Sequence, residues 1–147
     1  MRYKWMLSLV LSVVIISANA QFRKIPAQVT DSFKTRFNDA AKVSWRDNIT
    51  SFQASFKKGD DDVKAFFTSK GEWLKTEKSY AFNNLPAEIK DGFKKSKYKD
   101  WPVKEVMFVE EKDKQPQYRI QVRKGDLQKK NLYFSVSGQL LEEAITL

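Results

Sequence analysis

The chain has 147 residues, with 27 Lys and Arg against 18 Asp and Glu, and it contains neither His nor Cys. Without those two residue types it cannot build Ser-His-Asp or Cys-His nucleophilic centres, zinc sites of the usual kind, haem or iron–sulfur ligation through His or Cys, or disulfides. No glycine-rich phosphate loop is present either, so the sequence reads as non-enzymatic and implies no cofactor and no metal.

The first twenty residues form a unit of their own. Arg2 and Lys4 make a positive head, Trp5 to Ser17 is an apolar run broken only by serines, and Ala18-Asn19-Ala20 puts small residues at −3 and −1 of a cleavage point. That is the pattern of a secretory signal peptide, with cleavage expected after Ala20. The run is shorter than the roughly 20 apolar residues a membrane-spanning helix takes. The expected mature chain, Gln21 to Leu147, has 127 residues with 25 basic and 18 acidic side chains, a formal charge of +7. Its length suits one domain that buries roughly two-thirds of the surface exposed when unfolded. With no disulfide, packing must supply the stability, and the many aromatic rings suit that demand. Most of the cations are Lys, a hydrated point charge that serves a solvated exterior or diffuse attraction to an anionic partner equally well.

From Ile25 to Phe37 the pattern is helical. Pro26 fits the first turn, where its missing N–H would be unpaired anyway, and Val29, Phe33 and Phe37 recur every fourth residue as one apolar stripe. Asn38-Asp39 reads as a stop. The period then falls to two: Phe52, Ala54 and Phe56 alternate with polar residues, as in a half-buried strand. Lys58 to Asp62 is turn chemistry, Val63, Ala65 and Phe67 restart the alternation, Ser69-Lys70-Gly71 turns again, and Glu72 to Glu77 makes a further strand. Such short connections predict antiparallel hairpins.

The second half follows the same script. Leu85-Pro86-Ala87 opens a helix with Ile89 and Phe93 inward, Val103 to Glu110 reads as a strand, Lys112 to Pro116 as a charged loop, and Tyr118, Ile120 and Val122 alternate with Arg119, Gln121 and Arg123. Lys124-Gly125-Asp126 repeats Lys58-Gly59-Asp60, and Leu132 to Leu141 corresponds to Ala65 to Leu74. The helix openers match at a spacing of 60 and the last hairpins at 67. These matches predict a tandem duplication, with repeats at about 25–80 and 85–147 within a single domain at 21–147. One such unit has a thin core. Two side by side make an α+β fold of two tandem α-β-β-β(β) repeats: one antiparallel sheet with both helices on one face and the other face open.

Taken in order, several tracts resemble the PepSY-like family of small exported bacterial proteins, related in fold to the β-lactamase inhibitor protein. They are the P-A-x-[VI]-x-x-x-F openers at Pro26 and Pro86, Ala40-Ala41-Lys42-Val43-Ser44-Trp45, Phe52-x-Ala-x-Phe56, Gly71 to Glu77, Tyr98-x-x-Trp101 and Leu132-Tyr133-Phe134-x-x-x-Gly138. Asn38-Asp39 departs from the Pro that often follows the helical Phe in that family. The resemblance implies the periplasm or secretion in a Gram-negative bacterium and a helix-plus-sheet repeat, but no established activity, because fold does not determine function.

Among carboxylates, Asp60-Asp61-Asp62 lacks the spacing of a calcium loop, and Glu110-Glu111 and Glu142-Glu143 read as solvated strand ends. Binding is the better reading. If Phe67 and Phe134 face the helices, Phe66 and Tyr133 turn to the open face, together with Arg119, Gln121, Arg123, Ser51 and Gln53. Aromatics and Arg are the side chains enriched where proteins meet. The expected partner is a protein of the cell envelope. The alternative is charge-driven binding to an anionic polymer or surface such as lipopolysaccharide, which would weaken steeply with salt. Export argues against nucleic acid.

Overall fold

The computed structural model describes residues 24–146, so the signal segment and its expected cleavage at Ala20 lie outside the described residues. Two helices and eight strands follow in the order α1 (Ala27–Arg36), β1 (Ala41–Asp47), β2 (Phe52–Lys58), β3 (Asp61–Phe67), β4 (Trp73–Ser79), α2 (Ala87–Lys95), β5 (Val103–Glu111), β6 (Gln117–Lys124), β7 (Gln128–Ser135) and β8 (Leu140–Ile145). A short 3-10 turn, Phe82–Asn84, precedes α2. The strands lie in chain order in one sheet, and every neighbouring pair is antiparallel. This is the α+β architecture the alternation predicts, with the optional fourth strand present in each half.

Register shows that both helices cover the same face. Directly paired residues point to the same side of a sheet, and the row Val63–Lys78–Phe108–Tyr118 runs from the strands under α1 to those under α2. α1 buries Val29 and Phe33 of its predicted stripe, with Phe37 at its C-cap, and α2 buries Ile89 and Phe93. The core is therefore two clusters. Phe33 sets its ring edge-on to Trp45, Phe56 and Phe67 at 5.3, 5.1 and 6.3 Å in the first. Ile89 and Phe93 pack with Ile120, Leu132 and Phe134 in the second. Trp73 sits at the margin of the first cluster, with the Arg36 guanidinium 3.8 Å above its ring. Where α1 ends in the buried Phe37, α2 is followed by the exposed Lys97, and the next residue, Tyr98, fills the cluster instead.

The halves match in detail, consistent with the repeat the sequence predicts. A β-bulge interrupts β3–β4 between Phe66 and Phe67, and another interrupts β7–β8 between Tyr133 and Phe134. The following turns hold Gly71 and Gly138 at φ +83° and +84°, each pressed against a helix backbone, at Gln28 and Glu88 respectively. Asp61 and Asp62 of the acidic turn are engaged by Lys78 and Lys57.

Glu143 is more than a solvated strand end. It accepts a hydrogen bond from the Tyr98 hydroxyl at 2.6 Å and pairs with Lys97 at 3.1 Å, tying the α2–β5 connection to the edge strand. Because Glu143 is partly solvated, Tyr98→Phe is expected to cost only about 1 kcal/mol in urea unfolding, with the slope against denaturant unchanged.

Candidate functional site

The face away from the helices carries the more polar side of most strands, and its centre is not open in the simple sense. Met107 and Val109, on β5, point to this face, since they pair with Arg119 and Gln117 and belong to neither helix-side cluster. Both are nonetheless buried. Around them Arg119 donates from Nη1 to Glu77 Oε1 at 3.1 Å and from Nη2 to Glu105 Oε2 at 2.9 Å, while Lys75 Nζ reaches the same Glu77 oxygen at 2.7 Å. The Glu77 side chain is 6% exposed and that of Arg119 15%. The Nε of Arg119 is buried with no hydrogen-bond partner among the described residues, so the fork is held by its two outer nitrogens.

Burial is the largest single influence on Glu77 and would raise its pKa. The Lys75 hydrogen bond and the charges of Arg119, Lys75 and Lys64 outweigh it and hold the carboxyl below its ordinary value. For Arg119, burial acts against the charge, and the carboxylates of Glu77 and Glu105 more than offset it. The network is therefore charged and fixed across three strands.

Six of the seven residues expected on the open face lie on it, but not in one patch; Ser51 precedes β2 and belongs to no strand. Gln53, Phe66 and Lys75 form one cross-strand row, with Lys75 Nζ 4.5 Å over the Phe66 ring. Gln53 also accepts from Asn48 at 3.2 Å and donates to Ser55 at 3.0 Å. Tyr133 pairs with Arg119 and is half-buried. Three strands, β4 to β6, separate it from Phe66, roughly 19 Å at the usual spacing. Gln121 donates to Asn131 at 3.1 Å, and Arg123 turns back onto the β6–β7 turn, to Gly125 O at 2.8 Å and Asp126 at 3.0 Å. Alternation revealed which face these residues share. It missed Glu77, Lys75 and Met107, whose placement follows from the register of β4 on β5, a pairing between the two halves, and Glu105, placed by the register of β5 on β6.

Beside the network the first half of the face is concave. A depression of about 480 Å³ is bordered by Ser44, Ser55, Lys57, Lys64 and Ser79, with Glu77 and Met107 among its lining. It offers hydroxyls and ammoniums, together with the carboxylates of Asp62, Glu77 and Glu105. Among the described residues no group of three or more His, Cys, Asp and Glu is placed to hold a metal ion, and no helix is long and apolar enough to cross a membrane.

Several solved structures share this architecture. A BLIP-like protein from Bacteroides fragilis superposes with a TM-score of 0.78 at 25% identity, covering 86% of this chain and 89% of that one. A structure from Bacteroides eggerthii described as "putative periplasmic proteins" gives 0.74 at 25% identity over 83% and 89%. A DUF2874 family protein from Bacteroides ovatus gives 0.77 at 23% identity over 83% and 88%, a likeness of fold. No curated protein matches the chain. Residues 50–142, from the start of β2 into β8, match the model of the family described as "Putative beta-lactamase-inhibitor-like, PepSY-like", and it is to this family that the chain belongs.

Proposed function

We propose that the chain is an exported, non-enzymatic binding module, inhibitor-like in mode, that takes a protein of the cell envelope on the open face of its sheet. The observation that carries this reading is an uncovered face already fixed from within by the Arg119–Glu77–Glu105 network. Eight strands span seven spacings, so the face measures roughly 34 Å by 20–25 Å, on the order of 700–850 Å². A standard protein–protein interface takes about 800 Å² from each partner. Because buried ion pairs already hold the surface, little ordering remains to oppose association, and preorganisation of that kind converts contact area into affinity. Phe66 and Tyr133 stand on either side of the network as aromatic anchors, and the depression between β1 and β5 receives a protruding loop of the partner. The structural relative described as periplasmic supports the same compartment for this chain.

The test is crosslinking in the native envelope, then capture and washing in roughly 0.5 M salt, where exposed charges are screened within a few ångströms. A captured protein should be lost with Phe66→Ala/Tyr133→Ala and kept with Lys34→Ala, on the helix side. Equal capture by the face variant and the parent chain overturns the reading.

A further inference from the structure

A second surface lies on the helix side, at the end of the sheet away from the network. Tyr98 and Trp101, in the connection from α2 to β5, stand edge-on with ring centroids 5.1 Å apart. Together with the tip of the β6–β7 turn, the start of β7 and the end of β8 they line a groove of about 580 Å³. Two apolar side chains project from its rim, Leu127 at 96% exposure and Ile145 at 77%. Ammonium groups crowd the same place: Lys97 and Lys130 lie 5.2 and 5.3 Å from the Tyr98 ring, Lys124 lies 5.9 Å from the Trp101 ring, and Lys129 lines the groove.

Two of the carboxylates nearby are already engaged, while Asp100, next to Trp101 in the chain, forms no ion pair among the described residues. Glu143 is held by Tyr98 and Lys97, and Asp126 by Arg123. Lys124 and Lys129 form no ion pair among the described residues, and Lys130 donates to the Tyr98 hydroxyl at 3.0 Å, close enough for its charge to act on Glu143. The corner thus presents Lys124, Lys129 and Lys130, none of them in a direct ion pair among the described residues, around two protruding apolar tips and a tryptophan.

We propose that this corner docks on a bilayer surface bearing anionic lipid headgroups. Leu127 and Ile145 enter the boundary between headgroups and acyl chains, Trp101 lies at headgroup level, and the lysines remain with the phosphates. Apolar tips ringed by Lys beside an interfacial Trp form the combination such a boundary rewards. A hydrophilic anionic polymer would satisfy the lysines and leave both apolar tips in water. This surface is distinct from the open sheet face, so each stands or falls separately.

The chain, as its host processes it, is co-sedimented with phosphatidylcholine vesicles carrying about 30 mol % phosphatidylglycerol and with phosphatidylcholine vesicles alone. Binding is expected to the anionic vesicles only, and to weaken at least tenfold between about 50 and 500 mM salt. Leu127→Asp/Lys129→Glu/Lys130→Glu should weaken it at least tenfold with an unchanged thermal melt. Lys34→Glu/Lys70→Glu, two cations reversed in the first half, should leave it within about threefold. Absence of binding, equal binding to neutral vesicles, or equal losses in the two sets of variants overturns the proposal.

Discussion

Gly138→Ala should lower stability by about 3–5 kcal/mol, a fall in Tm of roughly 10–20 °C for a domain of this size. Two costs combine. At φ +84° an L side chain occupies a sparsely populated region at about 1–3 kcal/mol. The added Cβ would also stand 2.1 Å from Glu88 O and 2.7 Å from its carbonyl carbon, and these are backbone atoms of α2 that no rotamer change can move. Forcing the helix off the sheet adds about 1–3 kcal/mol more. Gly125 is the internal control. Its φ is +63°, but a Cβ there meets nothing within 4 Å, so Gly125→Ala carries the backbone cost alone. Gly71→Ala should behave like Gly138→Ala, its Cβ falling 2.5 Å from Gln28 O. If Gly138→Ala and Gly125→Ala melted within about 3 °C of each other, the close approach of hairpin to helix would not be a stabilising contact.

These glycines also show what the sequence could and could not disclose. Their recurrence at a spacing of 67 was plain, as were the helix stripes and the strands with one buried side, because a period of 3.6 or 2 is written wherever one face is covered. β1 left no such trace. As an edge strand it exposes most of its length, and Trp45 alone reaches the core cluster, so nothing in Ala41 to Asp47 alternates. The open-face network was hidden for another reason. Glu77 reads as an ordinary polar position and Arg119 as a contact for a partner, and each pairs with groups far away in the chain whose alignment depends on strand register. Alternation gives the side of the sheet a residue faces. It does not give the neighbour across the ladder, which is where Arg119 finds Glu77 and Glu105 and why the arginine anchors the surface from below.

Arg119→Ala is accordingly expected to act first on folding, at about 3 kcal/mol. Breaking a buried pair from one side costs about 3–5 kcal/mol because the other charge is left without compensation, and here Lys75 remains on Glu77 to soften the loss. The Glu105 arm adds little, since that side chain is 36% exposed. A variant that empties both positions with apolar groups, Arg119→Met/Glu77→Leu, should return to within about 1 kcal/mol of the parent, because buried ion pairs and well-packed apolar groups are often interchangeable in stability. The pH dependence separates this account from simple loss of packing. The Glu77 pKa is depressed in the folded state, so its contribution is fully present above the ordinary value of 4.5 and is lost as pH falls through the folded value. Removing Arg119 leaves burial less opposed, so Glu77 protonates at higher pH and the Arg119→Ala variant loses less of its remaining stability to acid than the parent does. The double variant, with no carboxyl at position 77, should lack that component altogether. Urea unfolding of the three proteins between pH 3 and 7 would measure the differences. Parallel profiles for the parent and the double variant would show that the open face is not held by Glu77, and that its rigidity must come from the apolar pair Met107 and Val109 instead.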